Sequence, residues 1–511
     1  MTSKFDQRLK PNQQRRRHLL SAACSLPSMA FMHTLSAMEG KRNGKNDRKQ
    51  GVSLALQADL KSRINVLKLA PGFRYHSILW TGQVMSDGSL TPDRPDGMAC
   101  FPKSNQEICL VRNHERAAIE PPNTQGLIGT TQTPRYDSLS LPKRLVGMGG
   151  GTTNVVLNEK LQIVKSYASL SGTLVNCAGG PTPWGSWLSC EEIELRGSRI
   201  GGKDHGYVFE VPASDKVQAS AKPIKGMGFM RHEAAAVGAD GSVFLTEDNK
   251  HGSGFYRFIP QDKSAKLGSL ERGGQLQMLR IKPSQPLAQS RLQRGQSFSV
   301  DWVDIDNPDA DPELLLAPAA KQPRILGAGR SGPFLQGQAQ GAAAFGRLEG
   351  AWQLSGDIYF VDTTGGAAKS GAVWRLSASK KGQAHALLDT LEVVYVSPNE
   401  GEADHIDNLT VNAQGGIVLC EDGAGGRNGL GQLVRGTRLL ALTPRGEIRV
   451  IAENALQLDK PSPELGLVAG DYRDQEFAGA CFDPKGDVLF VNIQTPGILL
   501  AIEGPWKKVF A

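Results

Sequence analysis

The segment GSVFLTE, Gly241–Glu247, sets the reading of the whole chain. A turn glycine leads into a short run of β-branched and aromatic residues, and an acid closes the run six positions after the glycine. That is the pattern of a short buried strand entered through a tight turn. The plan returns in GDIYFVD (Gly356–Asp362), GGIVLCE (Gly415–Glu421) and GDVLFVN (Gly486–Asn492), with poorer copies in GSWLSCE (Gly185–Glu191) and EICLVRN (Glu107–Asn113). Most copies are followed by a second apolar run: HGYVFEV, GFYRFIP, GAVWRL, TRLLAL or GILLAI. A strand-turn-strand unit repeated in this way predicts an all-β fold, a six-bladed β-propeller with helical and loop insertions. A β-sandwich or a pair of β-domains is the competing architecture. The spacing between copies is uneven, so the longer gaps are expected to hold insertions. The largest is 262–345, with a helix around Gln336–Phe345.

In a propeller the inner strands line one channel, so residues at equivalent strand ends converge from positions far apart in sequence. Against that geometry the stretch NCAGGPTPWGSWLSCEE (Asn176–Glu192) gains meaning, because it brings a cysteine and two adjacent glutamates to one channel. The candidate metal ligands come in short clusters: Glu115, Cys177, Glu191 with Glu192, Glu233, Glu247, Glu349, Asp407 and Glu421. Uncompensated carboxylates repel, and cations are the expected compensation. Many carboxylates with few histidines describe hard oxygen sites of the calcium type. A thiolate among them points to a softer transition metal alongside.

Composition narrows the function further. The chain has 511 residues and a formal charge of +7. Residues 1–50 carry eleven Lys/Arg against three Asp/Glu, which leaves the remainder at −1. The basicity therefore belongs to the N-terminal arm, and nucleic-acid binding is not expected. In that arm RRHLL (Arg16–Leu20) and the apolar segment after it have the layout of a twin-arginine export signal ending near Ala37. No stretch reaches the length of a membrane-spanning helix. The seven cysteines form no C-x-x-C pair, so a zinc ribbon is not expected. MGGGTTN (Met148–Asn154) lacks the lysine of a phosphate-binding P-loop, and no G-x-S-x-G elbow is evident.

Taken in order, RNHE (Arg112–Glu115), GGTTN, NCAGGPTPWGSWLSCEE, HGYVFEV, RHEAAAV, FLTEDN with GFYRFIP, GRLEGAW and FVNIQTPG resemble the PhoX-type bacterial alkaline phosphatases, from about residue 70 onward. The resemblance implies a six-bladed propeller, twin-arginine export, and a mixed iron–calcium cofactor, Fe(3+) and Ca(2+), that hydrolyses phosphate monoesters. Carried over by motif, Cys177 would ligate iron, with Glu349 in the same cluster and Glu233 or Glu247 adding a carboxylate. Glu115, Glu191, Glu192, Asp407 and Glu421 would serve calcium, and Arg347 would grip the substrate phosphate. Arginine suits that task because its bidentate fork stays charged at alkaline pH. The sequence departs from the pattern at Thr495, where a histidine is expected.

The expected layout is an export signal at 1–37, a flexible polar linker at 38–60 and one catalytic propeller over 61–511. The expected protein is a periplasmic or secreted monomer acting on small phosphate esters and handled by the twin-arginine machinery. Two rivals stand beside this: a calcium-dependent phosphodiesterase or lactonase on the same scaffold, and a non-catalytic propeller that metals merely stabilise.

Overall fold

The computed structural model describes residues 53–117, 128–138, 148–282, 287–317, 323–378, 388–412, 414–423, 425–462, 465 and 467–511. The expected export signal at 1–37, and most of the linker at 38–60, lie outside these residues. The described part of that linker includes a strand, Ala55–Ala58, paired with Asn65–Leu69.

The fold is all-β, with antiparallel sheets set around a common centre as in a propeller. Six hairpins carry the architecture, and their strands are numbered here as pairs. They are β1 (Pro95–Pro102) with β2 (Ile108–His114), β3 (Asn176–Pro181) with β4 (Ser186–Glu191), and β5 (His232–Val237) with β6 (Val243–Glu247). The others are β7 (Leu348–Leu354) with β8 (Asp357–Asp362), β9 (Ile406–Val411) with β10 (Ile417–Glu421), and β11 (Phe477–Phe482) with β12 (Val488–Ile493). The predicted repeats are the even-numbered strands. The odd-numbered strands pack side by side in a closed series, β1 against β3, β5, β7, β9 and β11 in turn, and β11 back against β1.

Every hairpin breaks register near the start of its odd strand: at Pro95/Met98, Asn176/Gly179, His232/Ala235, Leu348/Ala351, Ile406/Leu409 and Ala478/Cys481. Each break is a β-bulge, which bends the strand and re-aims a side chain. The bulges bring neighbouring backbones close together. A Cβ on Gly97 would sit 2.5 Å from the Ala178 Cα, and one on Gly350 would sit 2.9 Å from the Asn408 Cα. Glycine is required there because the next inner strand leaves no room.

Outward from the hairpins, apolar strands interleave and fill the space between sheets. Phe244, Phe255, Phe360 and Trp374 form one stacked aromatic series, and Leu188, Val208, Leu245, Tyr256 and Phe258 share another buried cluster. Arg74–Trp80 pairs with Ile498–Glu503 and so becomes the outer strand of the C-terminal sheet. Asn65–Leu69 likewise extends the β9–β10 sheet along Ile448–Asn454.

Two expectations need correction here. The stretch 262–345 is not a simple insertion, since it supplies strands Gly274–Ile281 and Ser297–Ile305 of a nine-stranded sheet. The second of these pairs with Leu388–Val396 and thereby joins the β5–β6 and β7–β8 groups. The helix also lies earlier than predicted, at Gly332–Ala339. Ser331 Oγ accepts from the Phe334 N–H to cap it, Pro333 opens its first turn, and a turn at Gly341 ends it.

Candidate metal centre

Alternation along the strands decides which acids face the channel, because successive residues of an extended chain point to opposite sides. The adjacent Glu191 and Glu192 show the rule. Glu191 ends β4 and turns away from the channel. Its carboxylate accepts from the backbone N–H groups of Leu174 (2.9 Å) and Gly206 (2.8 Å) and meets His205 Nδ1 at 2.7 Å. Glu192 points the other way, toward Cys177 and Glu233.

Glu247 and Glu421 repeat the position of Glu191, and both are likewise occupied by the fold. Glu247 accepts from the Tyr256 hydroxyl (2.7 Å) and the Gly254 N–H (3.2 Å). Glu421 is gripped by Arg438 and by the Asp404 N–H. The structure does not bring Glu191, Glu247 or Glu421 into the groups that gather at the channel. The residues that do gather are one position further along, Glu115, Glu192 and Asp422, or at the bulges, Asp96, Cys177, Glu233, Glu349 and Asp407. Glu476, just ahead of β11, joins them.

The groups share members. Cys177, Glu192 and Glu233 have potential ligand atoms within 4.8 Å of one another; so do Glu233, Glu349 and Asp407; Asp407, Asp422 and Glu476; and Asp96, Glu115 and Glu476. The sequence reading missed Asp96, Asp422 and Glu476. Asp422 carried a signal, as the residue after the strand-ending acid in CEDG. Asp96 in RPDG and Glu476 in QEFAG followed no acidic strand end and carried none.

The electrostatics of this gathering are severe. Burial, then the neighbouring carboxylates, pushes Glu192, Glu233, Glu349 and Asp96 well above the usual carboxylate range, and Asp407 up to about 7. Burial, followed by Asp96 and Glu233, also pushes the Cys177 thiol up. Among the described residues both oxygens of Glu233, Oε1 of Glu349 and Oδ1 of Asp96 are buried and accept no hydrogen bond, Glu349 Oε1 having only the ion-pair contact of Arg347 Nη2 at 3.4 Å. Leaving such oxygens unsatisfied is costly. A cation set among them would satisfy the oxygens and remove the mutual repulsion at once, so the donor set fits metal ions.

At the mouth of the gathering Arg347 lies beside acids. Its Nε donates to Asp248 Oδ1 at 2.8 Å, Nη2 pairs with Asp248 Oδ2, and Nη2 is 3.4 Å from Glu349 Oε1. Burial alone would weaken its charge, but Glu349 and Asp248 outweigh that and hold the guanidinium cationic. About 39% of the side chain stays exposed, so one edge of the fork can meet a ligand. Asp248, which the sequence reading did not select, follows Glu247 on the channel side. His114 and His232 are core residues. The first sits between the Asp93 carbonyl and Thr153, the second against the Gly228 carbonyl.

Glu191, His205 and Asp137 form a buried triad behind the centre, with His205 Nε2 3.3 Å from Asp137. Burial would lower the His205 pKa, but Glu191 and Asp137 more than reverse this and raise it to about 9 from 6.5. The sign follows from linkage. Stabilisation by this histidine is complete below pH 6.5 and is lost as pH rises through about 9. Its size is of the order of 3 kcal/mol. Denaturant midpoints measured at pH 6 and pH 10 should therefore show a larger loss of stability in the wild type than in His205→Gln, the raised carboxylates of the centre contributing equally to both. His205→Gln should itself be less stable at pH 6 by about 3 kcal/mol, since it leaves two enclosed carboxylates without their cation.

An all-β channel protein with an acidic, thiol-containing centre and an arginine at its mouth is the class that fold and site define. The family model described as Alkaline phosphatase PhoX matches residues 53–497. The chain belongs to that family and is a phosphatase. Among solved structures it is similar to Pseudomonas fluorescens PhoX in complex with vanadate, a transition state analogue. Identity is 15%, coverage is 88% of this chain and 98% of that one, and the TM-score is 0.60, which shows the shared fold. A gluconolactonase, XC5397 from Xanthomonas campestris, is a more distant neighbour at 10% identity and TM-score 0.36, covering 89% of this chain and 99% of its own. A catalytically inactive virginiamycin B lyase from Staphylococcus aureus stands at 11% and 0.31, covering 84% and 99%. No curated protein sequence matches the chain.

Proposed function

We propose that the protein is an exported, metal-dependent alkaline phosphatase that hydrolyses small phosphate monoesters at a mixed iron–calcium centre in a six-bladed propeller. The six bulged hairpins in closed series support the blade count. The observation that carries the function is the buried set of ligand atoms lacking hydrogen-bond partners, with Arg347 at its edge.

Cys177, with Glu192 and Glu233, is the group suited to iron, because it alone offers sulfur. The all-carboxylate groups built on Asp407, Asp422, Glu476, Asp96 and Glu115 suit calcium. Glu233, Glu349 and Asp407 join the two regions. Iron and calcium held there would supply Lewis-acid charge for the phosphoryl group and activate the oxygen nucleophile.

The chain's own groups do the rest. Arg347 presents donors to phosphoryl oxygens, and Asp248 fixes the plane of its fork through two hydrogen bonds. Because Asp248 and Glu349 keep it charged, this contact persists at alkaline pH. The close packing of the inner strands holds the ligand-bearing backbone rigid. Binding energy then goes into the phosphoryl group rather than into ordering the site.

The test is hydrolysis of 4-nitrophenyl phosphate at alkaline pH by natively exported protein. Activity is expected to disappear on chelation and to return with added calcium. A protein holding both metals yet inactive on this ester would overturn the phosphatase assignment, and parallel assays with a phosphodiester and a lactone would then identify its replacement. Export is read separately, from twin-arginine-dependent appearance of the protein outside the cytoplasm. The monomer expectation is read from its mass in solution.

A further inference from the structure

The six inner strands enter the channel with aligned triplets: Arg94-Pro95-Asp96, Val175-Asn176-Cys177, Arg231-His232-Glu233, Arg347-Leu348-Glu349, His405-Ile406-Asp407 and Glu476-Phe477-Ala478. At Arg231 and Arg347, whose φ is not positive, the first and third residues share a side of the strand; Arg94, Val175 and His405 are left-handed, with φ of 49°, 48° and 47°, so alternation does not extend to them. In five triplets the third residue belongs to the gathered groups and the first lies two positions ahead of it; in the sixth, Glu476 itself is in the gathering and Ala478 offers no ligand. Matching backbone hydrogen bonds support the alignment, from Glu115 N to Arg94 O, Glu192 N to Val175 O, Asp248 N to Arg231 O, Thr363 N to Arg347 O, Asp422 N to His405 O and Gln494 N to Glu476 O.

Four of these six positions hold a basic side chain, and three of the four are tied to carboxylates. Arg94 pairs with Glu115. Arg347 pairs with Asp248 and Glu349. His405 Nδ1 lies 2.7 Å from Asp404 Oδ1. Arg231 differs. Its guanidinium makes no hydrogen bond or ion pair among the described residues. It is half-buried and senses Glu192 and Glu194 only as through-space neighbours.

The backbone of Arg231 is fixed beside Asp248. Its carbonyl accepts from the Asp248 N–H at 3.2 Å, and the Asp248 carboxylate in turn holds the Arg347 fork. The two arginines thus stand on adjacent inner strands, on either side of Asp248, above the same Glu192. A half-buried guanidinium whose donors meet no acceptor among the described residues can take an anionic one. With the phosphoryl group at Arg347 and the ligands beneath it, the part of a substrate that projects outward along the rim is the leaving half.

We infer that Arg231 binds an anionic group carried by the leaving half of the substrate. The preferred esters then bear a second negative charge close to the phosphate that is removed. This rests on the phosphatase reading of the site, and Arg231 adds selectivity to it.

Steady-state kinetics with ethyl phosphate and 2-phosphoglycolate test the inference, since these esters differ by one carboxylate on the leaving group. The wild type should show the lower KM for 2-phosphoglycolate. Arg231→Ala should raise the KM for 2-phosphoglycolate about ten-fold more than the KM for ethyl phosphate, as expected for losing a charge-assisted hydrogen bond. Arg231→Lys should restore part of that difference. Equal weakening of both esters, or a wild type without preference, would overturn the inference and leave Arg231 a neighbour that only compensates Glu192 and Glu194. A wild type that hydrolyses 4-nitrophenyl phosphate but neither ester would overturn this inference alone, and one that hydrolyses none of the three would overturn the phosphatase reading with it.

Discussion

Cys177→Ala should lose phosphatase activity by more than about a hundred-fold and should purify with little iron. The side chain stands on the β3 bulge with Glu192 and Glu233 as its neighbours, and it is the one sulfur in the gathering. Substituting partners that merely orient metal ligands already costs about 10–100-fold, and loss of a ligand goes beyond that. Cys177→Ala should fold normally, because the thiol accepts no structural role from the strand pairing. Metal analysis alongside the assay separates the cases. Full activity in Cys177→Ala would remove iron from the proposal, while loss of activity with iron retained would assign the cysteine another task.

Arg347→Ala should lower kcat/KM for a phosphate monoester by about a thousand-fold, the scale on which arginines act in phosphoryl transfer. The loss should fall largely on kcat if the fork meets charge that develops in the transition state. Arg347→Lys should recover little. A lysine cannot keep both hydrogen bonds to Asp248 and reach a phosphoryl oxygen in the same plane. A loss smaller than about ten-fold in Arg347→Ala would remove the residue from the reaction. Asp248→Asn offers a graded check, since it keeps a side chain of similar shape while weakening the hold on the fork.

The fold was legible because hydrophobic runs closed by an acid repeat along the chain, and a strand period of two makes such runs conspicuous. The site was legible only in part. RHE and RLE exposed Glu233 and Glu349, since each sits where an apolar strand begins. The glutamates 191, 247 and 421 looked equivalent to true channel residues because they end the strands most clearly marked by the repeat. Which of two adjacent acids faces inward depends on register, and register is set by pairing with a partner strand rather than by local composition. Asp96 and Glu476 were hidden for a related reason. They belong to the place where the first of the six hairpins meets the last, and no single segment records that meeting. The bulges were equally silent, although Gly97 and Gly350 mark two of them through the space they save.

The pairing of Arg74–Trp80 with Ile498–Glu503 sets a timetable for the enzyme. The first inner strand gives Asp96 and the last gives Glu476 to a single group, which also includes Glu115. That group cannot exist until the final strands have been synthesised and the ring has shut on its own opening segment. Contacts this distant in sequence form slowly. A nascent or truncated chain would therefore expose half-assembled carboxylate sets able to capture ions in wrong arrangements. Under the proposed metal assignment, loading would belong to the closed series of hairpins, and removing either Arg74–Trp80 or Ile498–Glu503 should disable the centre without touching a proposed ligand.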